Sequence, residues 1–210
     1  LGAHRVALVG GDTSRGPLTI TLTVMGEATA GAALCRHTAQ PGDRIFVSGT
    51  LGDGAAALAL MEGRWQADAV LAEQLLSRYN APQPALELGQ ALAAVATSAI
   101  DISDGLLADL SHLCRASAVS AALDSRRLPL TAGMARDAQS TDWALCGGDD
   151  YRLCFTVPAA LHNAVPAGAT DIGEITVASE APTLTLTHLN GDNECRPLDD
   201  WRGGYDHFGG

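Results

Sequence analysis

The sequence contains no lysine, and all thirteen of its cationic side chains are arginines. The phosphate loop of P-loop proteins, the pyridoxal Schiff base and the protein-kinase site each need a lysine. These three kinds of site are therefore excluded from the 210 residues. The five cysteines show no C-x-x-C spacing, which argues against a zinc site or a disulfide framework. Isolated cysteines are typical of a reducing compartment, so we expect a cytoplasmic protein.

Charged residues are also scarce, at 18% of the sequence, whereas hydrophobic residues make up 47%. Disordered chains have the opposite composition, so disorder is excluded. The length of 210 residues is compatible with one or two domains. No apolar run approaches the ~20 residues that a bilayer span needs, and no signal-peptide pattern opens the chain. We therefore expect a globular protein with no membrane partner.

The net charge of −11 places a further limit on the partners of the chain. Binding to nucleic acid requires a basic patch, and the arginines are instead scattered along the sequence. An acidic protein that handles a phosphorylated substrate must neutralise the charge of both partners. Mg²⁺ bound between carboxylates and phosphates does this in phosphoryl-transfer sites. The charge balance therefore predicts no nucleic-acid partner and is compatible with bound magnesium.

Hydrophobic periodicity indicates a mixed fold. Residues 18–24 alternate apolar side chains with threonine, which predicts a half-buried strand, and a linker is expected at residues 26–31. Beyond it, strands are predicted at 44–48, 98–102, 119–123, 151–157 and 183–189, and helices after 54 and at 70–79, 86–96 and 105–114. This alternation predicts a layered α/β or α+β domain. The first strand needs sheet partners that the preceding residues cannot supply, so we expect a missing upstream segment.

Acidic residues occur at four glycine turns. These are Gly-Gly-Asp-Thr at residues 10–13, Asp-Ile-Ser-Asp-Gly at 101–105, Gly-Gly-Asp-Asp-Tyr at 147–151 and Gly-Gly-Tyr-Asp-His-Phe at 203–208. A carboxylate that leaves a strand at such a turn suits a hard cation such as Mg²⁺. The backbone N–H groups of the same turns, or of a helix N-terminus, suit phosphate.

Each turn also has a purely structural interpretation. Asp104 or Ser103 is a suitable N-cap for the predicted helix at 105–114. Gly-Gly-Asp-Thr is a common plain turn, and the last motif can be a docked tail. The glycines of residues 49–54 resemble a nucleotide loop weakly, and a tight strand-to-helix turn explains them equally well. The four motifs together favour function over these alternatives.

Taken in order, the four turns resemble thiamine-monophosphate kinase, a family with the PurM-like fold. Arg36 and the segment Pro-Gly-Asp-Arg-Ile-Phe-Val-Ser-Gly-Thr-Leu-Gly-Asp at residues 41–53 belong to the same resemblance, which covers residues 9–208. It implies ATP-dependent phosphorylation of thiamine monophosphate to thiamine diphosphate, with ATP as co-substrate and several Mg²⁺ ions.

The resemblance also implies a domain organisation. Residues 31–210 are expected to form a PurM-like C-terminal α/β domain. Residues 1–30 are expected to be the end of an N-terminal ATP- and magnesium-binding domain, including its last strand region. Family members dimerise through the N-terminal sheet, so a homodimer is expected. The first part of that domain carries further metal ligands and is absent, so the 210-residue chain is expected to be inactive alone.

Site residues follow from the resemblance, motif by motif. The implied metal ligands are Asp12, Asp101 and Asp104. The implied ATP contacts are Gly11, Asp12, Arg36 and Ser103. The implied substrate contacts are Asp149 and Tyr205, and an aromatic face at Tyr205 suits a cationic thiazolium. Asp149 departs from the family, which usually has glutamate there, so its contact with substrate is expected to be water-mediated or lost.

The implied chemistry needs no dedicated acid or base, because the acceptor is a phosphate oxygen that is already anionic. Positioning and charge neutralisation suffice for in-line transfer. Three alternatives remain open: a PurM-like enzyme with another acceptor, a non-catalytic interaction domain, and a haloacid-dehalogenase-type phosphatase. The last is disfavoured, because Asp-x-x-Asp-Gly is one residue longer than its Asp-x-Asp-Gly motif and its phosphate-binding lysine is missing.

Overall fold

A computed structural model describes residues 2–4, 6–135, 138–189 and 192–198 of the chain. The chain divides into two compact units, Leu1–Ala33 and Leu34–Gly210. The described part of the first unit holds a single short 3₁₀ helix, Gly2–His4, followed by irregular chain.

The strand predicted at residues 18–24 is wrong as a description of this chain, because the structure has no strand there. The alternating side chains remain exposed, with relative exposures of 79% for Ile20, Leu22 and Val24 and 95% for Leu18. A strand exists only where a neighbour completes its hydrogen bonds, and the described part of the first unit contains no other strand. A regular apolar pattern is therefore not sufficient to form a strand here.

The second unit is built on a sheet of seven strands in the order β2-β4-β1-β5-β3-β6-β7. The strands are β1 (Asp43–Ser48), β2 (Ser98–Ile102), β3 (Ser120–Asp124), β4 (Arg152–Pro158), β5 (Ala169–Thr176), β6 (Thr183–Leu189) and β7 (Asp192–Pro197). All neighbouring pairs are antiparallel except β3 and β6, which are parallel.

Five helices accompany the sheet within the described residues. They are α1 (Asp53–Met61), α2 (Ala69–Asn80), α3 (Leu86–Leu92), α4 (Leu106–Ser117) and α5 (Ala138–Cys146). None of them is long and apolar enough to span a membrane.

The interior strand β1 is buried on both faces, and this explains the layered arrangement. Ile45 and Val47 belong to the main core together with the apolar side of α4, including Leu110. Phe46 points to the other face, where its ring stacks on Phe155 at a centroid distance of 5.5 Å and the cluster includes Leu92 of α3. Helices therefore cover the sheet on both sides, which confirms the predicted layered α/β class.

Candidate functional site

The first predicted site segment, residues 101–105, joins β2 to α4. Ile100 and Ile102 are buried, whereas the intervening Asp101 faces outward because side chains alternate along a strand. The Asp101 carboxylate Oδ1 lies 3.7 Å from Nη2 of Arg36, and both side chains are more than half exposed. Two residues that the resemblance associates with ATP and metal thus lie side by side.

A buried carboxylate in the first turn of α4 holds this segment. Oδ2 of Asp109 accepts hydrogen bonds from the backbone N–H groups of Ser103 at 2.9 Å, Asp104 at 3.0 Å and Gly105 at 3.2 Å. Burial raises the pKa of Asp109, and the three hydrogen bonds partly oppose that effect. Sequence reasoning missed this residue, which lies on the apolar side of an amphipathic helix.

The interpretation of Asp104 or Ser103 as the N-cap of α4 is wrong. The N-cap position belongs to Gly105, and no side chain makes the capping hydrogen bond there. Asp109 instead satisfies the N–H groups that precede the helix. The half-buried Asp104 carboxylate has no hydrogen-bond partner among the described residues, so its oxygens are not committed to the helix.

The second segment, residues 147–151, is bonded backbone-to-backbone to the first. The N–H of Asp149 donates to the carbonyl oxygen of Ser103 at 2.9 Å, and the N–H of Tyr151 donates to that of Ile102 at 2.8 Å. A Cβ atom on Gly148 would lie 2.7 Å from the oxygen of Ser103, which is too close for any side chain. Glycine is required here so that the two segments can touch.

Asp149, in the middle of this segment, is held in an unusual backbone conformation. Its φ is 66° and that of Tyr151 is 49°, both in the left-handed region that favours glycine. The Tyr151 hydroxyl donates to Oδ1 of Asp149 at 2.9 Å, and this hydrogen bond raises the pKa of the tyrosine. Strain of this kind persists only where surrounding structure enforces it and is common at functional sites.

Asp150 binds a third glycine turn, residues 49–54, which joins β1 to α1. Its two carboxylate oxygens accept the N–H of Gly52 at 2.6 Å and that of Gly54 at 3.0 Å. Burial raises the pKa of Asp150 to about 7 despite these hydrogen bonds. Because the two N–H groups are already bonded, they are not available to a phosphate. The structure thus favours a tight turn over a nucleotide loop.

Two cavities flank Asp149. One has a volume of about 260 Å³ and a mainly charged or polar lining of Asp53, Gly54, Arg78, Tyr79, Pro82, Gln83, Asp149, Asp150 and Arg152. The other has a volume of about 220 Å³ and is lined by Gly54, Ala55, Leu58, Cys146, Gly147, Gly148 and Asp149. In the first cavity Arg78 is committed to the buried Asp53 through an ion pair. Asp149 therefore lies between a charged recess and one with several apolar side chains.

The structure brings five of the predicted site residues into one unit: Arg36, Asp101, Ser103, Asp104 and Asp149. Gly11 and Asp12 belong to the other unit, where Oδ1 of Asp12 accepts the N–H of Thr13 at 2.8 Å. Convergence of Asp12 with Asp101 and Asp104 stays a prediction. Tyr205 and the rest of its motif lie outside the described residues.

The donor set fits part of a magnesium site. Asp101 and Asp104 offer hard carboxylate oxygens, the ligand type that Mg²⁺ prefers. Within the residues described, no group of three or more His, Cys, Asp or Glu side chains could hold a metal ion. A magnesium ion at this segment would therefore need further ligands from substrate phosphate, water or other protein groups.

Comparisons with known proteins show the family of the chain. The family model for AIR synthase related protein, C-terminal domain, matches residues 40–181. The thiamine-monophosphate kinase of Escherichia coli (strain K12) is 42% identical over 99% of this chain, and the match covers 65% of that relative.

Two solved structures are also similar to the chain. The crystal structure of thiamine-monophosphate kinase from Stenotrophomonas maltophilia K279a aligns with a TM-score of 0.67 and 38% identity, over 75% of this chain and 54% of that one. AaThiL complexed with AMPPCP and TMP aligns with a TM-score of 0.65 and 29% identity, over 83% and 54%. The chain thus spans less than two thirds of the length of these relatives. It belongs to the AIR synthase related family through its PurM-like C-terminal domain, and within that family it resembles the thiamine-monophosphate kinases.

Proposed function

We propose that the whole protein transfers the γ-phosphoryl group of ATP to thiamine monophosphate and so forms thiamine diphosphate. The observation that carries the proposal is the direct bonding of residues 101–105 to residues 147–151. This bonding holds the segment of Asp101 and Asp104 against the segment of Asp149. Support also comes from relatives that are named thiamine-monophosphate kinase and from a similar structure that contains an ATP analogue and TMP.

The proposal gives each site residue a role. Asp12, Asp101 and Asp104 would hold Mg²⁺; Gly11, Asp12, Arg36 and Ser103 would contact ATP; Asp149 and Tyr205 would contact thiamine monophosphate. When bound, magnesium supplies charge neutralisation between the phosphates of donor and acceptor. Beside the charge of magnesium, the guanidinium of Arg36 adds a second and permanent positive charge next to Asp101.

Catalysis in this scheme needs no proton acceptor. The attacking atom is an anionic phosphate oxygen, so no side chain has to deprotonate it. The rate enhancement comes from aligning donor and acceptor in line, and a rigid backbone contributes most to that alignment. The hydrogen bonds of Asp109 and those between residues 101–105 and 147–151 supply this rigidity.

The remaining parts of the proposal concern organisation. We assign residues 1–30 to the end of an N-terminal ATP- and magnesium-binding domain and residues 31–210 to the C-terminal domain. The exposed apolar residues at 18–24 would pair with other strands of that N-terminal domain, through which two copies associate. A cytoplasmic location belongs to the same proposal, and the described cysteines form no disulfide.

Turnover of the whole protein tests the proposal. Thiamine diphosphate is quantified by liquid chromatography after incubation with ATP, Mg²⁺ and thiamine monophosphate. The variant Asp104→Asn is expected to lose most activity at unchanged stability, because its side chain caps no helix but would ligate the metal. The matched control is Asp68→Asn, since Asp68 is the true N-cap of α2 and asparagine caps equally well.

Two outcomes would contradict the proposal. Formation of no thiamine diphosphate, with phosphorylation of another acceptor instead, would favour the PurM-like enzyme of different specificity. Equal activity of Asp104→Asn and the wild type would remove Asp104 from the metal site.

A further inference from the structure

Asp109 is a buried carboxylate to which the proposed function gives no contact with substrate or metal. Its relative exposure is 4%, and a charge so deeply buried is costly unless it is well hydrogen-bonded. It projects from the first turn of α4 back toward the preceding segment, where one oxygen accepts three consecutive backbone N–H groups. The residues that donate are those at positions 103, 104 and 105.

The arrangement differs from an ordinary helix cap in its origin. A cap normally comes from the residue that precedes the helix, through a serine, threonine, aspartate or asparagine side chain. Ser103 and Asp104 are of those types and stand next to the N-terminus of α4. Without Asp109, the free N–H groups would attract one of these two side chains, because orphaned donors at a helix start need an acceptor.

The carbonyl side of the same segment is fixed independently. The oxygens of Ile102 and Ser103 accept N–H groups from the segment at 147–151. Asp109 fixes the opposite, N–H side. The N–H groups of residues 103–105 and the carbonyl oxygens of residues 102 and 103 are thus occupied, whereas the Asp104 side chain is left to interact with a ligand.

We propose that Asp109 is a positioning residue, which holds the backbone of residues 103–105 and thereby frees the Asp104 carboxylate to face a divalent cation. The proposal rests on the proposed function in one respect, namely that Asp101 and Asp104 ligate the cation. Holding the backbone is a property of Asp109 itself and is measured without any metal.

The first measurement is amide hydrogen exchange of residues 103–105 by NMR in wild type, Asp109→Ala and Asp109→Asn. We expect Asp109→Ala to speed exchange of all three amides by about tenfold or more, because each loses a hydrogen bond to a charged acceptor. Asp109→Asn retains one carbonyl oxygen and should show a smaller increase. It also keeps the test valid if the alanine variant fails to fold.

The second measurement is the affinity for Mn²⁺, used alone as the probe and followed by electron paramagnetic resonance in the whole protein. We expect Asp109→Ala to weaken it by about 10- to 100-fold, the usual effect of removing a group that orients metal ligands. The matched control is Asp43→Ala. Asp43 is equally buried and accepts the N–H of Gln40 at 2.9 Å, but it pairs with Pro158 at the opposite end of β1 from the site.

Unchanged amide exchange in Asp109→Ala would overturn the positioning role. If the wild type binds Mn²⁺, an equal affinity of Asp109→Ala for the ion would overturn it as well. An equal loss of affinity in Asp43→Ala would also overturn it, because the effect would then be general destabilisation. Failure of the proposed metal site looks different. In that case the wild type binds no Mn²⁺, or Asp104→Asn binds it equally well, and amide exchange still decides whether Asp109 holds the segment.

Discussion

Replacing Asp150 with asparagine should change how the stability of the protein depends on pH. The carboxyl group is buried against the turn at residues 49–54, and burial raises its pKa to about 7. Asparagine has nearly the same shape as the neutral carboxylic acid but does not titrate. The difference in unfolding free energy between wild type and Asp150→Asn therefore isolates the ionisation of this one group.

The sign follows from proton linkage. An unfolded aspartate has a pKa near 3.9, so between pH 4 and 7 the folded state binds a proton that the unfolded state has released. Stability from this group is therefore present at low pH and is lost as the pH rises through about 7. Integration of this dependence from pH 5.5 to 8.5 gives the size of the effect. The unfolding free energy of the wild type should fall by about 2 kcal/mol relative to that of the variant.

Urea unfolding followed by tryptophan fluorescence gives this difference, because Trp143 is buried in α5 next to the site. The chosen pH range lies above the isoelectric point of about 4.7, at which the net charge is near zero and proteins tend to associate. A free-energy difference that stays constant from pH 5.5 to 8.5 would refute the reasoning. It would mean that the N–H groups of Gly52 and Gly54 stabilise the charged form enough to cancel the effect of burial.

Three further predictions concern the site and the first unit. Gly148→Ala should destabilise the protein by about 1–3 kcal/mol in urea unfolding, because its Cβ would lie 2.7 Å from a backbone oxygen; Gly89→Ala, in an open position of α3, should instead stabilise it by about 0.5–1 kcal/mol. Tyr151→Phe in the whole protein should raise KM for thiamine monophosphate about 2- to 10-fold with little change in kcat, because Asp149 loses one hydrogen bond; a drop in kcat at constant KM would contradict this. Leu22→Glu should reduce self-association of the whole protein in sedimentation velocity, since the exposed apolar row at residues 18–24 is expected to pair with other strands; an unchanged sedimentation coefficient would count against that pairing.

Regular periodicity made much of the second unit predictable. The strand at 98–102 and the strand at 183–189 occur with the predicted bounds, and the helix α4 is only three residues longer at its C-terminal end than predicted. These segments have clear alternation or a continuous apolar stripe, so local pattern and tertiary packing agree.

Two elements that were not predicted, β5 and α5, lack the local sequence pattern that is typical of their structure. β5 contains Asp171 and Glu174, residues that are rare in strands. Arg44 on the neighbouring β1 pairs with both carboxylates, so a contact distant in sequence compensates for poor local propensity.

The helix α5 lacks a clear apolar period and was missed for that reason. Its buried Trp143 packs edge-on against Trp65. No local sequence pattern predicts this contact.

Site residues that bear exposed carboxylates were predictable, and those that hold them in place were not. Asp101 and Asp149 stand at recognisable turns, where a strand ends or begins. Asp109 and Asp150 act through backbone N–H groups of other segments. Their role depends on which turns meet in space, and that information is carried by the tertiary structure. The one local signal is a polar residue on the buried side of α4, four positions after Gly105.

The central claim is that the turns at 101–105 and 147–151, which are hydrogen-bonded to each other, form the site where ATP and thiamine monophosphate meet. The most direct measurement is a map of amide chemical shifts in the ¹⁵N-labelled whole protein during titration with AMPPCP and Mg²⁺, followed by thiamine monophosphate. The account predicts that the nucleotide perturbs residues 101–105 first and that thiamine monophosphate then perturbs residues 147–151, with Asp104→Asn abolishing the first response. Saturable shifts confined to other parts of the protein, with both turns unaffected, would contradict it.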